Sequence, residues 1–116
     1  MGQIMAKPSG RSYSRNASEA IALLGQSIRA GRISRKMTGQ NLAERAGISR
    51  ALLYRIERGD PACSIGAVFE AAAIVGVQLF QPDTATLTGQ IENMRARLAL
   101  LPKAVRAKSK ARKDDF

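Results

Sequence analysis

The chain has 116 residues, with 19 Lys and Arg against 9 Asp and Glu for a net charge of +10. That length fits one small domain with tails, and a core so small is expected to lean on a second copy of itself. No histidine is present, which removes Ser-His-Asp and Cys-His catalysis and the common zinc and non-haem iron sites, so neither an enzyme nor a cofactor or metal protein is expected.

Residues 1–17 are rich in Ser, Gly, Arg and Lys and are expected to be a flexible N-terminal tail. Ser18 is the expected cap of a first helix running to about Arg35, with Ile21, Leu24 and Ile28 on its apolar face. Gly31 interrupts that pattern. Thr38 caps a second helix, whose apolar residues are Leu42, Ala43 and Ala46. Gly47 closes it, and Ile48 sits in the turn. Ser49 caps a third helix, Arg50 to Arg58, packed through Leu53 and Ile56 and ended by Gly59 and Pro61. Ser64 opens a fourth, with Ile65, Val68, Ala72 and Val75 in register until Gly76.

Val77 to Phe80 alternates apolar and polar, which predicts a short strand in need of a partner edge. Across 82–102, Leu87, Ile91, Met94, Leu98 and Leu101 fall at spacings of 4, 3, 4 and 3. This amphipathic helix has a seam of coiled-coil type, for its own domain or for a partner chain. Residues 103–116 are strongly basic until Asp114, Asp115 and Phe116, and are expected to be a disordered tail.

Basic excess points to a polyanion, either nucleic acid or an anionic membrane surface. The start of the chain lacks a secretory pattern, and no apolar run approaches the ~20 residues that span a bilayer. The single Cys63 has no internal disulfide partner. A reducing, cytoplasmic location is therefore expected, with no membrane association. The most informative stretch is 42–57, LAERAGISRALLYRIE. Two short helices meet at a tight turn on Gly47, with Ala43 small where they approach. The second presents Arg50, Ala51, Tyr54 and Arg55 outward, and a compact basic helix of this kind suits the major groove of DNA.

Over residues 24–80 the chain resembles the lambda-repressor-like helix-turn-helix family, also called the XRE or Cro/C1 type. Leu24, Ile28, Arg32, Thr38, Leu42-Ala43, Gly47-Ile48-Ser49 and Arg55 through Gly59 carry the resemblance, followed by the helix-four pattern. It implies an all-α bundle of four to five helices, with residues 18–81 as the DNA-binding domain and the short strand at a dimer interface. It also implies that Ser49, Arg50, Ala51 and Arg55 meet phosphates and base edges. Arg50 and Arg55 would read guanine or hold a phosphate. Ala51 would meet a thymine methyl, Leu52 a methyl or a sugar, and Tyr54 the margin of the site. Arg32 and Glu57 match a structural pair of the family.

Three positions depart from the family pattern. Gly39 stands where a Gln follows the Thr38 cap and grips a phosphate, which passes that contact to Gln40 or to backbone N–H groups. Lys36 replaces a glycine and Gly31 a core leucine, which implies a looser first helix. The region beyond the core resembles HipB-like antitoxins. That implies a homodimeric repressor of its own operon on an inverted-repeat site in double-stranded DNA, partnered by a HipA-type kinase toxin. The alternatives are a stand-alone phage-type or housekeeping repressor, and an RNA-binding or structural module driven by the basic tail.

Overall fold

The computed structural model describes residues 12–80 and 86–107. Expectations for residues 1–11, for the start of the last helix within 81–85 and for the basic tail from 108 onward fall outside those residues. The chain divides between Gln81 and Pro82 into two units.

The first unit holds α1 (Arg15–Ser34), α2 (Gly39–Ala46), α3 (Arg50–Glu57) and α4 (Ile65–Ile74). α2 packs on α3 and α4, and α1 packs on α3. Ile28, Leu42, Ala43, Leu53, Ile56, Ala71, Ala72 and Val75 are buried together, and no polar residue among the described ones is buried as a whole with them. Burial of each large aliphatic here contributes about 1.5–3 kcal/mol. The three alanines allow short helices to approach closely. Ala71 escaped the sequence pattern, and Ile65, expected inside, lies 70% exposed.

α1 starts earlier than its apolar pattern suggests. Ser14, not Ser18, is the cap, its Oγ accepting the Ala17 N–H at 3.1 Å. Residues 15–17 carry little apolar periodicity, so the sequence hid the first turn. The expected tail is thus helical over its last three residues. α1 runs unbroken through Gly31. A Cβ there would sit 3.0 Å from both Val75 Cγ2 and the Val75 carbonyl oxygen, so the glycine lets α1 meet the end of α4.

Lys36 adopts φ +57°, the left-handed conformation that closes α1, with its N–H on Ile33 O and the Met37 N–H on Arg32 O. A side chain bearing Cβ is strained there by about 1–2 kcal/mol, partly offset by the greater chain entropy that glycine loses on folding. Lys36→Gly should therefore stabilise the domain by about 0.5–1 kcal/mol, read as a higher urea midpoint at unchanged m.

The expected strand at 77–80 is not formed, and no strand occurs among the described residues. The alternation has another use. Val77 and Leu79 turn inward and pack on the core, while Gln78 and Phe80 face out. Gly76 at φ +79° reverses the chain, and Val77 N–H closes the turn on Ala72 O at 2.9 Å. The segment covers one side of the bundle through Val77 and Leu79.

The second unit contains α5 (Leu87–Ala99), capped by Thr86, whose Oγ1 accepts the Gly89 N–H at 3.0 Å. None of its residues is buried, and Leu87, Ile91, Met94 and Leu98 are 49–59% exposed. A helix of this length is marginal in water by itself, and its stripe is left for another surface.

Candidate nucleic-acid interface

The site is built on α2, the turn and α3. Gly47 at φ +71° ends α2, and Ile48 N–H returns to Ala43 O at 3.0 Å. Ser49 restarts the chain as a cap, its Oγ accepting the Leu52 N–H at 3.0 Å. Leu53 and Ile56 pin one side of α3 in the core. The opposite side necessarily presents Arg50, Ala51, Tyr54 and Arg55, all exposed.

Several expected site residues have structural work of their own. Thr38 forms a capping box with Asn41: its Oγ1 accepts the Asn41 N–H at 3.0 Å, and its own N–H donates to Asn41 Oδ1 at 3.4 Å. Gln40 donates to Glu44 across one turn at 2.8 Å. Leu52 is half-buried and packed against the core, so it braces α3. Ala51 is open on the exposed face. A Cβ on Gly39 would lie 3.9 Å from Arg50 Nε, so the arginine passes over the first residue of α2. The position that lacks the expected Gln is thus flanked by the Arg50 guanidinium.

The scaffold pair is present in bidentate form. Arg32 Nε and Nη2 donate to Glu57 Oε2 and Oε1 at 2.7 and 3.0 Å, and Nη1 donates to Met37 O at 3.0 Å. The hydrogen bond to Glu57 raises the Arg32 pKa against the opposing effect of burial. A raised arginine pKa keeps the guanidinium charged across the neutral range, and the Arg32 side of this stabilisation is lost only as pH rises above the ordinary arginine range.

Sequence reasoning missed two residues beside the site. Asp60 Oδ2 accepts Arg55 Nε at 2.8 Å, and Asp60 Oδ1 accepts the Ala62 N–H at 2.8 Å. The Ala62 bond first, and Arg55 second, hold the Asp60 carboxyl below its usual range, while the bond to Asp60 raises the Arg55 pKa. Arg58 lies over the Tyr54 ring at 5.0 Å from its centroid, a cation–π contact. The only sequence signal for the Asp60 pair was an acid five residues after an arginine, beyond ordinary helical spacing. The Cys63 thiol is half-buried, and burial pushes its pKa up, away from thiolate chemistry.

The sequence model of a family described as a helix-turn-helix domain matches residues 23–87, more than half of the chain. The protein belongs to this helix-turn-helix family. The match begins inside α1 and takes in α2, α3 and α4, the elements that carry the exposed arginines. No curated protein matches the chain. A DNA-binding helix-turn-helix accounts for the presentation of α3 and for the positive charge of the chain. Among the described residues no helix is long and apolar enough to cross a membrane.

Proposed function

We propose that this protein is a sequence-specific transcriptional repressor that binds an inverted-repeat operator as a dimer. The observation that carries this is α3, pinned by Leu53 and Ile56 and displaying Arg50, Ala51 and Arg55 to solvent. Arg50 and Arg55 read base edges in the major groove. Ser49 and the start of α2 meet phosphates. The exposed stripe of α5 pairs with its copy, and the two-fold axis sets the recognition helices one DNA turn, ~34 Å, apart.

Partnership with a HipA-type kinase belongs to the same proposal. It is supported by the resemblance of the region beyond the core to HipB-like antitoxins. Co-purification with the co-expressed product of the neighbouring gene is its test, and a failure there leaves a stand-alone repressor.

Footprinting on the DNA upstream of the gene tests the main reading. A protected inverted repeat is expected. Arg50→Ala should weaken binding to it by about five- to a hundredfold. Met94→Glu with Leu98→Glu should give a monomer by light scattering and a single protected half-site. Uniform coating of any DNA, unaffected by Arg50→Ala, would replace this proposal with non-specific binding through other basic residues.

A further inference from the structure

The Arg55–Asp60 pair is out of place if α3 simply binds phosphate. An acid beside the recognition helix repels the DNA backbone and gives back part of the attraction that the basic surface supplies. Nor does the pair contribute much to folding, since both side chains are substantially exposed, at 49% and 33%. Its geometry is nevertheless well defined. Gly59 at φ +80° turns the chain back, and the Asp60 N–H bonds to Arg55 O at 3.0 Å. That backbone bond and the Ala62 N–H on Oδ1 fix the carboxylate from two sides, and Oδ2 then takes the Arg55 Nε–H. Pro61 follows directly and stiffens the loop.

We infer that Asp60 is a positioning residue for base recognition, holding Arg55 by its Nε so that the two Nη groups face outward as a fixed fork. This deepens the proposed function and rests on it. An unheld arginine in this position has many rotamers and can collapse onto the nearest phosphate, which carries no sequence information. With Nε engaged, the remaining donors of the guanidinium lie on the edge that matches the O6 and N7 acceptors of guanine. Arg58 lies over the Tyr54 ring and adds only a charge attraction to the Asp60 carboxylate, whose hydrogen bonds go to Arg55 and the Ala62 N–H. The same negative charge penalises non-specific complexes in which Arg55 is not seated on a base. Asp60 thus raises the ratio of specific to non-specific binding from both sides, by attraction in the right complex and repulsion in the wrong one.

The test is selection of binding sites from a randomised duplex pool, using the full chain and its Arg55→Ala, Asp60→Asn and doubly substituted variants. Asn keeps an oxygen for the Ala62 N–H, so the thermal midpoint should stay within a few degrees. Arg55→Ala defines the base pair that Arg55 reads, as the position whose preference disappears. Asp60→Asn should blur that position alone, by about five- to tenfold, and leave the positions read by Arg50 intact. The double variant should match Arg55→Ala. Affinity of Asp60→Asn for a scrambled duplex should rise about two- to fivefold, with a steeper salt dependence.

The inference is overturned if Asp60→Asn leaves the Arg55 position sharp. It is also overturned if preferences fall uniformly along the site, which marks a general loss of structure. A wild-type chain that enriches no sequence brings down the repressor reading and this inference together, whereas a sharp site insensitive to Asp60→Asn brings down this inference alone.

Discussion

Arg32→Ala is expected to lower the free energy of unfolding by about 2–4 kcal/mol, measured by urea denaturation. The substitution removes the partner of a carboxylate whose side chain is only 8% exposed. It also frees Met37 O, which otherwise accepts from Nη1. Arg29 does not replace it: its Nε is 3.9 Å from Glu57 Oε1 and its side chain is 61% exposed, so water screens the contact. The loss is large because one charge stays behind in a poorly solvated place, not because the intact pair is strongly stabilising. A domain of this size has a total stability of only several kcal/mol, so much of the folded population is at stake. Glu57→Ala should cost less, since the long Arg32 side chain, already 15% exposed, can extend its charge toward water. Arg15→Ala is the control. Its pair with Glu19 is exposed at both ends, 89% and 69%, and its loss should leave the midpoint unchanged. Equal losses from Arg15→Ala and Arg32→Ala would contradict this account.

The Arg32–Glu57 pair also bears on function, because it ties α1 to the last residue of α3. The recognition helix is held by Leu53 and Ile56 in the core and by Glu57 at its end. A variant that retains the fold but frees the end of α3 should bind its operator more weakly before it unfolds, because base contacts tolerate little displacement.

Much of this was legible in the sequence because it is local. Ser49, Thr38 and Ser64 act as caps through hydroxyl-to-amide bonds spanning three residues, and sequence displays such spacing directly. Gly47, Gly59 and Gly76 mark reversals at positive φ. The core face of α3 followed from helical period. What was hidden depends on neighbours distant in the chain or on weak periodicity. The alternation at 77–80 was read as a strand, but alternation shows only that one side is covered, not that a ladder partner exists. Leu52 sits among exposed residues in the sequence, yet packs inward because other elements leave it room. The Arg55–Asp60 pair depends on the turn at Gly59, which brings together two residues that helical spacing would separate.

The second large effect is expected at Gly25, which carried no signal at all in the sequence. Placed inside α1, it looks like a weak helix position, and Gly25→Ala would ordinarily stabilise a helix by about 0.5–1 kcal/mol. Here the sign should reverse. A Cβ at Gly25 would collide with the Ile56 carbonyl oxygen and lie 3.0 Å from Glu57 O. Both obstacles are backbone, so no side-chain rotation relieves them, and α1 and α3 must move apart. Overpacking of this kind costs about 1–3 kcal/mol after the gain in helix propensity is set against it. Separation also stretches the Arg32–Glu57 bridge, because those residues lie on the same two helices. Gly25→Ala and Arg32→Ala should therefore be less than additive in a double-mutant cycle. Gly66→Ala supplies the contrast. Nothing lies within 4 Å of a Cβ there, so the ordinary helix gain should appear as a raised midpoint. If Gly25→Ala raises the midpoint as Gly66→Ala does, the close crossing of α1 over the end of α3 is wrong, and with it the anchoring of the recognition helix.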